Sequence, residues 1–82
     1  MRPYLFVTVE SDMFKGTYDI EVPTYVRSGQ LQKDISEVLT AYTGSYVGCR
    51  KLYCNRLQKY LDAELTFEQL GVWNGDVIKL MN

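Results

Sequence analysis

The sequence predicts an α+β fold, a sheet of four to five strands with one helix packed across one face. Three observations carry this expectation. Residues 4–10 and 17–22 both alternate apolar and polar side chains on either side of a short turn, the pattern of a β-hairpin. Leu31, Ile35, Val38, Leu39 and Tyr42 then recur at spacings that place them on one helical face. The remaining third of the chain holds short β-prone runs separated by turn residues. Two adjacent strands, a crossing helix and further strands bury one sheet face and leave the other toward solvent.

In the first strand Leu5, Val7 and Val9 share one face, and Tyr4, Phe6, Thr8 and Glu10 the other. Residues 11–16 form the turn, with apolar Met13 and Phe14 where polar residues are usual; these two either extend a surface patch or fold back on the sheet edge. Tyr18, Ile20 and Val22 oppose Thr17, Asp19 and Glu21 in the second strand. Pro23, which has no amide hydrogen to donate, stops that strand. Ser28 is the expected helix N-cap and Gly44 the expected stop. Gln32, Lys33, Ser36, Glu37 and Thr40 fill the polar side, while Tyr42 and Tyr46 are expected to close the helix end over the sheet. Leu52 and Cys54 read as the inward face of a third strand, with Lys51 and Tyr53 outward. Asn55-Arg56 opens a turn. Residues 57–61 read as a short edge strand whose register stays open, with Leu57, Tyr60 and Leu61 as core candidates. Residues 65–70 make one helical turn, and Trp73 is expected to be partly buried near Leu70 and Val72. Asn74-Gly75 supplies the positive φ angles of a tight turn, and Val77, Ile78 and Leu80 drive the closing strand, 77–81.

Composition narrows the function. A chain of 82 residues is the size of a single domain, 1–82. Nine basic and ten acidic residues are spread along it, so no basic patch argues for nucleic acid as the partner. No apolar run approaches the roughly 20 residues that span a bilayer, and the first residues lack a signal segment, so the cytoplasm is the expected compartment. Cys49 and Cys54 stand five apart, which on a strand points them to opposite faces, and no disulfide is expected. Without histidine there is no four-ligand zinc set and no Ser-His or Cys-His nucleophile. Residues 44–48, Gly-Ser-Tyr-Val-Gly, follow a helix and lack the Lys-Ser/Thr of a phosphate loop, so they read as loop. Asp62, Glu64, Glu68 and Asp76 lie near loops and can approach one another. Asp76 reads as a turn residue and Glu68 as a solvated one, so acid-base catalysis is not expected. No enzyme activity and no cofactor are implied.

The ending Gly71-Val72-x-Asn74-Gly75-Asp76-x-Ile78-x-Leu80 resembles the last strand of ubiquitin-like β-grasp domains. The first hairpin, the helix face Leu31/Ile35/Leu39 and the segment Lys51-Leu52-Tyr53-Cys54-Asn55 extend that resemblance over the full chain. Within the superfamily the chain most resembles the bacterial YukD-like proteins, small cytosolic proteins found beside type VII secretion systems, which export WXG100-type substrates. The resemblance implies a mixed sheet and a cytosolic accessory or regulator of that secretion. The sequence stops at Leu80-Met81-Asn82 without the Gly-Gly tail that conjugation and sulfur transfer need, so a non-conjugating binding module is expected. Two alternatives stand beside it: a modifier or sulfur carrier whose glycine tail is missing here, and a ubiquitin-like domain of a larger protein.

With Leu5, Val7, Val9, Ile78 and Leu80 turned to the helix, the opposite face gathers Tyr4, Phe6, Thr8, Lys51, Tyr53, Lys79 and Met81. Apolar and aromatic surface ringed by lysine is the composition of a protein contact. In ubiquitin this face is the main recognition surface, so the resemblance implies Phe6, Tyr53, Lys79 and Met81, with Tyr4, as protein-binding residues. Met13 and Phe14 occupy a place similar to ubiquitin's hairpin-tip contact. Exposed strand aromatics equally satisfy β propensity and cross-strand packing. Seven tyrosines weigh toward an interface, because tyrosine combines contact area with a polar tip. The expected partners are proteins, secretion-system components among them. Neither nucleic acid nor direct membrane insertion is expected, and pairing of an edge strand between two copies, a homodimer, stays open.

Overall fold

The computed structural model describes residues 3–82. Its elements are β1 (Tyr4–Ser11), β2 (Tyr18–Pro23), α1 (Ser28–Thr43), β3 (Lys51–Cys54), β4 (Lys59–Tyr60), α2 (Phe67–Leu70) and β5 (Val77–Met81). They form one five-stranded sheet in the order β2-β1-β5-β3-β4. β1 and β5 run parallel at its centre, and the other neighbours are antiparallel, so the sheet is mixed.

The inward residues of the three central strands are buried as their alternation requires. Val7, Val9, Leu52, Cys54, Ile78 and Leu80 pack under α1, which contributes Leu31, Ile35 and Leu39. That helical contact is a single row at four-residue spacing, narrower than the expected face. Val38 is 54% exposed and Tyr42 74% exposed, contrary to their core assignment. Both turn toward β2, the outer strand of the sheet, and among the described residues no further strand covers them. Tyr46, also expected over the sheet, is 75% exposed; Val47 enters the core in its place.

The opposite side of α1 holds the loop that carries Val47. The Gln32 amide donates to the Cys49 carbonyl at 2.8 Å, Ser36 Oγ donates to the Val47 carbonyl, and Thr40 Oγ1 accepts from the Val47 N–H at 2.9 Å. Residues 32, 36 and 40 thus form a polar row that satisfies loop backbone and lets an apolar side chain leave water.

The helix start differs from the sequence expectation. Arg27 is the N-cap and its side chain makes no capping bond. Ser28 is the first helical residue, and it is buried. Its hydroxyl donates to the Leu65 carbonyl at 2.9 Å, and the Ser28 and Gly29 N–H groups donate to the carbonyls of Leu65 and Ala63. Backbone of the segment before α2 therefore does the work of a capping side chain. Gly44 ends α1 as expected, at φ 76°. α2 begins on a capping box in which Thr66 and Gln69 exchange side-chain and backbone bonds.

The edge strand expected over 57–61 shortens to Lys59–Tyr60. Leu61 is buried, Leu57 is half-buried and Tyr60 is exposed. In the closing turn only Gly75 takes a positive φ, 87°; Asn74 does not. Asn74 instead uses its side-chain oxygen to accept the Phe6 N–H at 2.8 Å. Phe14 folds back against Tyr18, with ring centroids 5.1 Å apart, while Met13 stays exposed. Among the described residues, no helix is long and apolar enough to cross a membrane.

Candidate functional site

The outward sides of β1, β5, β3 and β4 make the open sheet face, and they carry every residue expected there. The face is not one continuous patch. The β1–β5 register sets Glu10 beside Lys79, and the β3–β5 register sets Tyr53 on the other flank of Lys79. Phe6 lies four residues back along β1 from Glu10, about 13 Å at 3.3 Å per strand residue. The expected set therefore divides into two clusters, with Thr8 and Val77 between them.

One cluster holds Lys51, Tyr53, Lys79 and Met81, joined by a residue the sequence reading had placed as a core candidate. Tyr60 pairs directly with Tyr53, and the rings meet edge to face with centroids 5.2 Å apart. Lys51 Nζ lies 5.0 Å from the centre of the Tyr60 ring. Met81 sits opposite Lys51, and Lys79 Nζ stands 3.4 Å from an oxygen of Asp12. Outward position on an edge strand opposite Tyr53 was the missing signal, and it needed the register of β4.

The other cluster holds Tyr4, 46% exposed, and Phe6, 53% exposed. Tyr25, which no sequence argument singled out, joins it. Its hydroxyl is 3.4 Å from that of Tyr4 and the two rings meet edge to face. The hydrogen bond to Tyr25 pushes the Tyr4 phenol above its ordinary value, so the Tyr4 ring stays neutral at physiological pH. Thr8 Oγ1 donates to Asp19 at 2.8 Å and marks the polar seam on this side.

Beside the face lies a polar node built on Asp76. Arg56 Nε donates to one carboxylate oxygen at 2.8 Å and Nη2 to the other at 3.0 Å. Nη2 also donates to the Gly71 carbonyl, and the Trp73 N–H donates to the carboxylate at 2.7 Å. Burial disfavours the charge on Asp76, but the bonds from Arg56 and Trp73 outweigh it and hold the carboxyl below its usual range. The Arg56 guanidinium also stacks 3.7 Å from the centre of the Trp73 ring. Trp73 is 63% exposed, against the expectation of partial burial. Arginine covers its inner face, and the ring stands outside the core.

Among the described residues, no cluster of metal-ligating side chains could hold an ion. Asp76, one of four carboxylates considered for acid-base work, is committed to Arg56. Both cysteines are free, and burial pushes the Cys49 thiol up, away from the reactive thiolate.

The sequence matches no protein-family model and no curated protein. Solved structures do match. The ubiquitin-like domain of the type VII secretion protein EccD1 of Mycobacterium tuberculosis superposes with a TM-score of 0.74 at 16% identity, covering 96% of this chain and 98% of that one. The EccD5 ubiquitin-like domain of Mycobacterium xenopi gives 0.73 at 12% identity, over 95% of this chain and 92% of that one. A ubiquitin-like protein of Trypanosoma brucei gives 0.70 at 17% identity, over 100% and 98%. At such identities the likeness carries the architecture alone. The strand order, the single crossing helix and these superpositions agree that the chain has the ubiquitin-like β-grasp fold.

Proposed function

We propose that this chain is a protein-binding module that works by non-covalent recognition through its open sheet face, as a cytosolic accessory of bacterial type VII secretion. The observation that carries the reading is the cluster of Tyr53, Tyr60, Lys51, Lys79 and Met81 on that face. Paired tyrosines and a half-buried methionine offer desolvable area, and the lysines offer polar anchoring at its rim. A partner surface bearing carboxylates beside apolar side chains fits it. The YukD-like resemblance of the sequence, together with EccD ubiquitin-like domains among the structural neighbours, supports the secretion setting.

The test is affinity capture from the native cell with the intact protein as bait, with mass spectrometry of the captured proteins and of the bait. Secretion-system components bound to a bait of unmodified mass are the expected result. Covalent adducts or a thiocarboxylate would overturn the reading in favour of a modifier or sulfur carrier. A second reading, a ubiquitin-like domain within a larger protein, is favoured by the EccD1 match, itself a domain. A native bait heavier than the 9.5 kDa of this chain would select it.

A further inference from the structure

The sheet has a second unfinished boundary. β2 is an outer strand, and among the described residues no strand pairs with its far side. Phe6 and Thr8 direct their backbone bonds toward the β5 side of β1. The Gly75 N–H donates to the Phe6 carbonyl at 2.7 Å, and the Thr8 N–H donates to the Asp76 carbonyl at 2.9 Å. Antiparallel alternation then turns Leu5, Val7 and Val9 toward β2, and their partners Val22, Ile20 and Tyr18 toward β1. Asp19 and Glu21 accordingly point N–H and C=O groups outward, a short open ladder that Pro23 ends for want of an N–H.

A groove of about 480 Å³ runs beside that ladder, between β2 and α1, lined by Ile20, Leu39, Val38 and Tyr42. A smaller hollow of about 100 Å³ continues it past Val38 to Asp34 and Pro23. Tyr42 meets Tyr18 edge to face, with centroids 5.3 Å apart, and closes one end. Val38 and Tyr42 are the two large apolar residues of α1 that the core leaves exposed. The carboxylates bordering this edge have one sign: Asp34 flanks the groove, Asp19 and Glu21 alternate with Ile20 and stand on the opposite face of β2, where Asp19 accepts from Thr8, and among the described residues no lysine or arginine lines the groove.

We infer that this edge is a docking site for an extended segment of another protein in which apolar residues alternate with lysine or arginine. The segment adds to β2 as a further strand, bonding to the free groups of Asp19 and Glu21. Its apolar side chains enter the groove against Ile20, Val38 and Tyr42. Its basic side chains lie on the other face, beside the carboxylates of Asp19 and Glu21. A second copy is a poor occupant. Two β2 edges paired about a two-fold axis set the acidic residues of one against those of the other. The β4 edge, Lys59–Tyr60, is too short to cover the six-residue β2. This site lies on a different side of the fold from the open-face cluster, and its test is independent of that reading.

The experiment titrates isotope-labelled protein with an end-blocked peptide of alternating lysine and valine, read by amide NMR shifts and hydrogen exchange. Two control peptides replace valine by serine, or lysine by glutamate. The lysine–valine peptide is expected to shift the β2 amides and slow exchange at Asp19 and Glu21. Both controls and the Val38→Glu protein are expected to bind roughly tenfold or more weakly, as main-chain pairing with side-chain pockets requires. Val38 is exposed, and Tyr42→Ser, at a still more exposed site, repeats the test should Val38→Glu lower the melting temperature. Absent binding, equal binding of the lysine–serine peptide, unslowed exchange at Asp19 and Glu21, or shifts centred on Tyr53 and Lys79 would each overturn the proposal. So would a sedimenting dimer that Val38→Glu dissociates, which would make a second copy the occupant.

Discussion

Asp76 sits in an Asn-Gly-Asp turn, where aspartate is ordinarily solvated, yet its side chain is only 6% exposed. The turn brings the carboxylate under Trp73, and Arg56 reaches it from the β3–β4 connection twenty residues away. Local sequence cannot announce such a pair, because neither member lies at helical or strand spacing from the other. An aspartate whose folded pKa is depressed contributes stability above its unfolded value and loses it as pH falls through the folded one. The melting temperature of the native protein should therefore drop below about pH 4, and Asp76→Asn should flatten part of that drop while lowering stability at neutral pH. Asp76→Ala should cost about 2–3 kcal/mol by urea unfolding, less than a wholly buried pair because the Arg56 side chain keeps about a third of its exposure. A pH profile identical in native and Asp76→Asn proteins would remove the node from the stability account.

At the scale of elements, α1 is held to the sheet by the row Leu31, Ile35, Leu39 and to the 45–49 loop by the row Gln32, Ser36, Thr40. Leu39→Ala should cost about 2–5 kcal/mol, as buried leucine truncations do. Val38→Ala, one residue earlier, should stay within about 0.5 kcal/mol, as surface changes do. A reversal of that order in chemical denaturation would mean the helix is rotated from the orientation described. Gly44→Ala should cost roughly 1–2 kcal/mol, the penalty of a Cβ at left-handed φ. Strand alternation in residues 4–10, 51–54 and 77–81 was legible because one face of each strand is covered, so polarity follows the pleat. The helical face was read one column too wide, since apolar periodicity does not reveal where a sheet stops. The cap at Ser28 was misread because the donors of α1 are met by backbone distant in sequence, a partner that residue type does not signal. For the same reason Tyr60 was read as a core candidate and Tyr25 went unmarked: each joins a surface cluster only through register or through a contact across the fold.

For the whole molecule, the strand order leaves two kinds of unfinished surface. One is the uncovered face of the sheet, where aromatic side chains gather at both ends with Thr8 and Val77 between. The division predicts that the ends act separately. Phe6→Ser should leave a partner of the Tyr53/Tyr60 cluster bound, whereas loss of both tyrosines should release it; pull-down with each variant distinguishes them. The other is the β2 edge, with an apolar groove on one side and the carboxylates of Asp19 and Glu21 on the other. The function proposed for the open face is recognition of protein partners without a covalent step. It is tested most directly by comparing what the native protein and a Tyr53→Ser/Tyr60→Ser variant capture from the native cell, after thermal melts show both folded. Partners held by the native protein, at unmodified bait mass, are expected to be absent from the variant. The same partners retained by a folded variant would contradict it.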